Sequence, residues 1–295
     1  MLNKKPIFIV GLSRGGSSIL LNILRSHPDV CSPRGETQEV FYGKSNESSL
    51  TRASKIFRYL PILIRQREHL FSPHSYHDRR PLSRSSKEAI DRILFHDKSL
   101  ATDVTQNRYK TEGVRYTAEE ICQSRLLSKN LDGLVFTTPL FADMFPDATF
   151  IGLVRNGLAV CEGHIRRGST ASAYGKLYAR VCGQILADAR RLDNFHLFRY
   201  EELTRNTLRT ADSIFELAGL DSSCVPKFRL VVGNEGNQGR TGGSAVELRW
   251  FSRQEFAKTI VPGVDEEQIQ KLSSKDREKF MEEAGGILNS LGYAT

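Results

Sequence analysis

Eight residues near the N-terminus, Gly11 to Ser18 (GLSRGGSS), carry the groups needed to hold an anion. Their glycines let successive backbone N–H groups turn toward one point. A helix starting at their end adds partial positive charge, and Ser17 and Ser18 add hydroxyl donors. The spacing of Gly11 and Gly16 fits the nucleotide-phosphate loop G-x-x-x-x-G-K-[ST]. Ser17, however, stands where that motif has its Lys, and the cation is Arg14, inside the loop. Arg155 ends a later apolar run, at a place where a Mg²⁺-dependent phosphotransferase would carry an Asp. Both departures disfavour ATP or GTP chemistry, and no metal is required. An Arg at a strand end is suited to a bidentate phosphate contact. Two strand-end anion sites suggest a ligand with phosphates at both ends. Glu36 and Glu39, just beyond the second predicted strand, are candidate general bases near the loop.

These groups need elements to position them. Residues 6–10 (PIFIV) form a short continuous apolar run, as a parallel strand buried on both faces should. The Gly/Ser turn follows it, then a helix running from Ile19 toward His27-Pro28. Asp29 to Cys31 reads as a second short strand. Residues 44–115 are polar, basic and irregular, with helices predicted at Ala53–Leu70 and Ser85–Leu94. This stretch reads as a helical insertion or lid, not a separate domain. A helix is predicted near Tyr116–Leu126, followed by a short segment ending at Lys129-Asn130, and another helix over Phe136–Phe145. Residues 148–154 (ATFIGLV) are a buried strand ending on Arg155. Helices to about Ile165 and over Ser172–Leu192 come next, then a strand at Phe195–Tyr200. Helices near Thr207–Ala218 and Ser274–Leu291 finish the chain, with a Gly-rich loop at 233–245 between them. Strands alternating with helices indicate an α/β fold with a central, mostly parallel sheet in three layers, spanning residues 1–295 as a single domain.

Composition sets the bounds. The chain has 295 residues, 39% hydrophobic and 26% charged, with ten Pro. That excludes collagen-like and largely disordered classes and allows a full core without staples. No apolar run approaches the roughly 20 residues that span a bilayer. The apolar stretch after Lys4-Lys5 stops at Ser13-Arg14, too soon for a secretory signal. Five widely spaced cysteines give no zinc pattern and suit free thiols, so a cytoplasmic protein with no membrane partner is expected. The net charge of +8 is compatible with nucleic acid, an anionic surface or a phosphorylated ligand. No uninterrupted Lys/Arg tail supports a nucleic-acid arm.

The motifs taken in order resemble the sulfotransferases that use 3′-phosphoadenosine-5′-phosphosulfate (PAPS). The resemblance runs from about Pro6 to Leu220, through Arg14-Gly-Gly-Ser-Ser18, residues 145–151 (FPDATFI), Arg155 with Asn156-Gly157, and residues 199–203 (RYEEL). It extends to an ending at 288–293 (LNSLGY). It implies a P-loop-NTPase-like fold, PAPS as donor and adenosine 3′,5′-bisphosphate (PAP) as product. It also implies a 5′-phosphosulfate site at Arg14, Gly15, Gly16, Ser17 and Ser18, with Arg155 on the 3′-phosphate. Residues 27–37 resemble the matching stretch of tyrosylprotein and heparan-type sulfotransferases, which assigns the base to Glu36, with Glu39 second. Lys129 matches a Lys that bridges the sulfuryl group, and Tyr200 one that packs near the adenine. The family places a Ser eight residues after the Arg. Here that position is Gly163, leaving its backbone, His164, or the Gly239-Arg240-Thr241 loop to contribute, while Ser244 or Arg240 in the Gly-rich loop is placed to close over the cofactor.

The implied activity is sulfuryl transfer to a hydroxyl or amine of a small-molecule, peptide or glycan acceptor, with Glu36, Arg14 and Lys129 catalytic. The rivals are a P-loop phosphotransferase and a basic polyanion-binding module without catalysis. The Arg- and His-rich stretch 52–92 is left unassigned.

Overall fold

The computed structural model describes residues 2–33, 36–43, 48–66, 82–100, 109–233, 246–260 and 262–293. The chain opens with β1 (Ile7–Gly11), the phosphate-type loop, α1 (Ser17–Leu24), β2 (Val30–Cys31) and α2 (Thr37–Tyr42). Helices α3 (Ser49–Gln66) and α4 (Arg84–Ser99) follow, with a small antiparallel pair β3 (Tyr109–Thr111) and β4 (Val114–Arg115) and a short α5 (Ala118–Gln123). Next come β5 (Arg125–Leu131), a 3-10 stretch (Asp132–Thr137), α6 (Thr138–Met144), β6 (Thr149–Val154), α7 (Gly157–Ile165), α8 (Ala171–Arg191) and β7 (Phe195–Arg199). The C-terminal part holds α9 (Tyr200–Arg205), α10 (Thr207–Leu217), the antiparallel pair β8 (Lys227–Gly233) and β9 (Val246–Ser252), then α11 (Arg253–Thr259), α12 (Val264–Gln270) and α13 (Ser274–Ser290).

Five strands form the central sheet in the order β2-β5-β1-β6-β7, with every neighbouring pair parallel. The chain leaves β1 for one side of the sheet and later crosses to the other. The carboxyl end of β1 is therefore the topological switch point where open α/β sheets place their ligands. All five residues of β1 and all six of β6 are buried, which explains their unbroken apolar sequences.

Strand alternation splits β1 between two cores. Phe8 and Val10 face a core shared with α6, α8 and α13, where the Phe8 ring lies 4.9 Å from Phe141 and 5.3 Å from Phe150. Ile7 and Ile9 face the opposite core with Leu20, Ile23 and Leu24 of α1 and Ala211, Ile214 and Phe215 of α10. Helices cover both faces of the sheet, giving the expected three-layer α/β architecture.

Local departures from the sequence reading have identifiable causes. The helix predicted near Tyr116–Leu126 ends at Gln123, because Arg125–Leu131 is a central strand pairing with β1. Its sequence, RLLSKNL, mixes polar and apolar residues and does not resemble a buried strand. The helix predicted over Phe136–Phe145 is shortened to Thr138–Met144 by the 3-10 stretch before it. The insertion helices are Ser49–Gln66 and Arg84–Ser99, the second extended to Ser99 and capped by Ser83. Residues 234–245 of the predicted Gly-rich loop lie outside the described residues; β8 ends at Gly233 and β9 starts at Val246, two strands the sequence reading did not assign.

Candidate active site

The loop after β1 is shaped by two left-handed residues, Arg14 at φ 68° and Gly16 at φ 90°. The Gly15 amide donates to the Leu12 carbonyl at 3.0 Å, closing the turn, and α1 begins at Ser17. Ser13 is pinned from the next strand connection: its amide donates to Asp132 Oδ1 at 2.9 Å and its hydroxyl to Oδ2 at 2.5 Å. A Cβ on Gly16 would fall 2.2 Å from the Tyr200 ring, so only glycine fits there. Ser17 is buried at the helix start, whereas Arg14 and Ser18 are exposed. Five predicted anion-site residues thus share one tight turn at the switch point, above the positive end of α1.

Glu36 and Lys129 come together beside it. Glu36 is the N-cap of α2, and its Oε1 lies 2.9 Å from Lys129 Nζ. Strand alternation places Lys129 opposite in facing to Ser128 and Asn130, whose side chains meet the Thr37 hydroxyl at 2.8 and 2.5 Å. That clasp fixes the start of α2 on one face of β5. Lys129, paired in register with Ile9, projects to the face that carries α1 and the phosphate-type loop. The Lys129 side chain is 13% exposed and that of Glu36 37%, so the pair is shielded on one side and open on the other. Glu39 instead caps the helix, its Oε2 accepting the Glu36 amide at 3.0 Å.

Arg155 stands at the end of β6 as expected, but its guanidinium is already engaged. Nε and a terminal NH2 donate to Asp265 Oδ1 at 3.0 and 2.5 Å, NH2 also reaches Gln268 Oε1 at 3.0 Å, and NH1 donates to the Arg14 carbonyl at 2.9 Å. Tyr200 lies under it, 4.3 Å from ring centroid to guanidinium carbon. Tyr200 therefore packs between Gly16 and Arg155, and burial pushes its hydroxyl up from the usual tyrosine value. Next to it, burial raises the Glu201 carboxyl; the Asn156 amide, donating at 2.8 Å, opposes the rise and the Asp265 carboxyl adds to it. The Tyr293 hydroxyl donates to the other Glu201 oxygen at 2.8 Å.

Gly163 is the seventh residue of the nine-residue α7. Its backbone N–H at that depth belongs to the helix's own ladder and is not offered to a ligand. His164 stacks on Tyr174 with centroids 4.2 Å apart, and burial lowers its pKa below the usual histidine value. Arg240 and Ser244 lie outside the described residues. The sequence reading gave no role to Asp132, Asp265 or Gln268, and quoted Glu201 only within residues 199–203. Nothing in their local sequence marks them, and the fold brings them to the β1 and β6 ends.

Comparison with known proteins bears on this fold. The model of the sulfotransferase family matches residues 6–223. No curated protein sequence matches the chain. The sulfotransferase domain of the Synechococcus PCC 7002 olefin synthase is similar in fold, with a TM-score of 0.53 at 16% identity, covering 100% of this chain and 97% of that one. A mouse sulfotransferase, SULT7A1, solved with PAP, aligns at a TM-score of 0.46 and 13% identity over 98% of this chain and 89% of its own.

Among the described residues no helix is long and apolar enough to cross a membrane.

Proposed function

The chain belongs to the sulfotransferase family, and from that premise we propose that it moves the sulfuryl group of PAPS to an acceptor hydroxyl or amine, with Glu36 as base. The observation that carries the reading is the 2.9 Å pairing of Glu36 with Lys129 beside the β1 loop. A carboxylate there can take the acceptor proton. Lys129, already in contact with it, is within reach of the charge that builds on the transferring group. The new bond forms between the acceptor atom and sulfur, and the bond from sulfur to the 5′-phosphate oxygen breaks. PAP leaves with the electron pair.

Arg14, the Gly16 amide and the Ser17 and Ser18 hydroxyls hold the 5′-phosphosulfate and neutralise the leaving phosphate, with Gly15 closing the turn beneath them. Displacing the acceptor's proton through a positioned base is worth about 10²–10⁴-fold in rate. The cradle accounts for part of the +8 charge without nucleic acid. Ser17 in place of a Lys, and Arg155 in place of an Asp, favour this donor over a Mg²⁺-bound nucleoside triphosphate.

Thermal unfolding in the presence of PAP, ATP with Mg²⁺, or DNA tests the reading. The expected result is a saturable upward shift with PAP and little with the others. A large shift with ATP and Mg²⁺ alone would sink it.

A further inference from the structure

Arg155 occupies the position of a phosphate-binding arginine, yet its surroundings are those of a structural one. A guanidinium has five N–H donors. Two of these go to Asp265 Oδ1, one to Gln268 Oε1 and one to the Arg14 carbonyl. One face of the group lies against Tyr200, and the residue is 8% exposed. A fork-like phosphate contact needs two adjacent free donors, and the bonds to described residues leave one N–H, on NH1. Position 163, which would supply the hydroxyl partner of such a contact, is glycine inside a helix.

Displacing Asp265 from Arg155 would be costly. Asp265 is buried, and the neighbouring Glu201 carboxyl is half-buried beside it. Without the guanidinium, these two acids would face each other with no cation between them.

We infer that Arg155 serves the donor site as a positioning residue, clamped by Asp265 and Gln268 of α12, and does not grip the 3′-phosphate. Its effect runs through the bond from NH1 to the Arg14 carbonyl. Arg14 is a non-glycine residue at φ 68°, a conformation that persists only when its surroundings impose it. The Arg155 bond holds that peptide, whose own N–H closes the turn onto the Leu12 carbonyl, and so sets the direction of the next amide, that of Gly16, toward the 5′-phosphate. Helix α12 lies beyond the residues matched by the family model, so the C-terminal segment completes the phosphate cradle from behind.

The inference rests on the proposed donor chemistry, and two nucleotides separate the two. PAP carries both phosphates, whereas adenosine 5′-phosphate lacks the 3′ one. Dissociation constants for both are measured by calorimetry on the full chain and on Asp265→Asn, Asp265→Ala and Arg155→Gln. A positioning role predicts that Asp265→Ala weakens both nucleotides by the same factor, about tenfold. Asp265→Asn keeps one acceptor oxygen and recovers part of the loss. Arg155→Gln leaves the ratio of the two affinities at its wild-type value.

Three results overturn it: the ratio collapsing toward one in Arg155→Gln, Asp265→Ala tightening PAP alone, or Asp265→Ala changing neither affinity. Should Asp265→Ala fail to fold, the milder Asn variant decides by the same ratio. Wild-type protein that responds to neither nucleotide overturns the donor assignment itself.

Discussion

The two halves of the sheet's carboxyl edge are built on opposite plans. At the ends of β1 and β6 the described polar groups are locked to one another: Ser13 to Asp132, Arg155 to Asp265, Gln268 and the Arg14 carbonyl, Glu201 to Asn156 and Tyr293. Beyond β2 and β5, Glu36 and Lys129 have each other, and the helix next to them leaves Leu50 84% and Phe57 71% exposed. A ligand of one fixed shape favours the first plan, because a preorganised cradle does not reorganise at each turnover. The second leaves the reacting pair accessible to an acceptor. Under the proposed function, donor recognition falls to the β1–β6 side and proton transfer to the β2–β5 side.

Glu36→Gln should break that division most sharply. The amide keeps the size of the carboxylate and removes its basicity, so turnover should fall about 10²–10⁴-fold. PAP affinity should remain within a few-fold of wild type, because Glu36 lies on the acceptor side. Steady-state rates set against calorimetric affinity check this. Turnover near the wild-type level would remove Glu36 from the role of base, and an equal loss of PAP binding would dissolve the division between the two sides.

The next largest effect is expected on the donor side, where two glycines of similar backbone geometry differ in surroundings. Gly16 has φ 90° and would place a Cβ 2.2 Å from Tyr200, whereas Gly113 has φ 73° and nothing within 4 Å. Alanine at either site carries the left-handed strain, about 1–2 kcal/mol. Only Gly16→Ala must also move Tyr200, and with it Arg155 stacked on the other side. PAP affinity should drop more than about tenfold in Gly16→Ala and hold in Gly113→Ala, and chemical denaturation should show the strain in both with the larger loss in Gly16→Ala. Equal nucleotide affinities would show that Tyr200 does not transmit loop geometry.

The same contrast explains which features were readable from the sequence. The tight turn after β1 was legible because a strand–turn–helix junction of this kind demands particular residues at particular spacings, and Gly11, Arg14, Gly15 and Gly16 supply them in one run. Buried β1 and β6 were legible because parallel strands covered on both faces are continuously apolar. Strand β5 was not, since Ser128 and Asn130 bond Thr37 and Lys129 meets Glu36, breaking the apolar pattern that marks a core strand. Arg155 was placed correctly, but its partners Asp265 and Gln268 are 110 and 113 residues away in the chain, at a separation no local pattern reports. Glu36 was separable from Glu39 only by resemblance. In the structure the two differ physically, one facing Lys129 and the other capping α2.

The smallest expected effect bears on the acceptor side. Phe8 is fully buried among Phe141, Phe145 and Phe150, and truncating such a ring to alanine costs about 3–5 kcal/mol. Phe57 on α3 is the same residue type, but most of its surface is already in water. Phe57→Ser should therefore change the urea midpoint by less than about 0.5 kcal/mol equivalent, as surface substitutions do. Its PAP affinity should be untouched, because among the described residues α3 packs against α2, where Lys55 Nζ donates to the Glu39 carbonyl at 3.1 Å, and not against the β1 loop. A stability loss above about 1.5 kcal/mol would mean that this apolar face is covered in solution. The β2–β5 side would then be as closed as the β1–β6 side, and the distinction between a fixed donor end and an open acceptor end would fail at its weaker half.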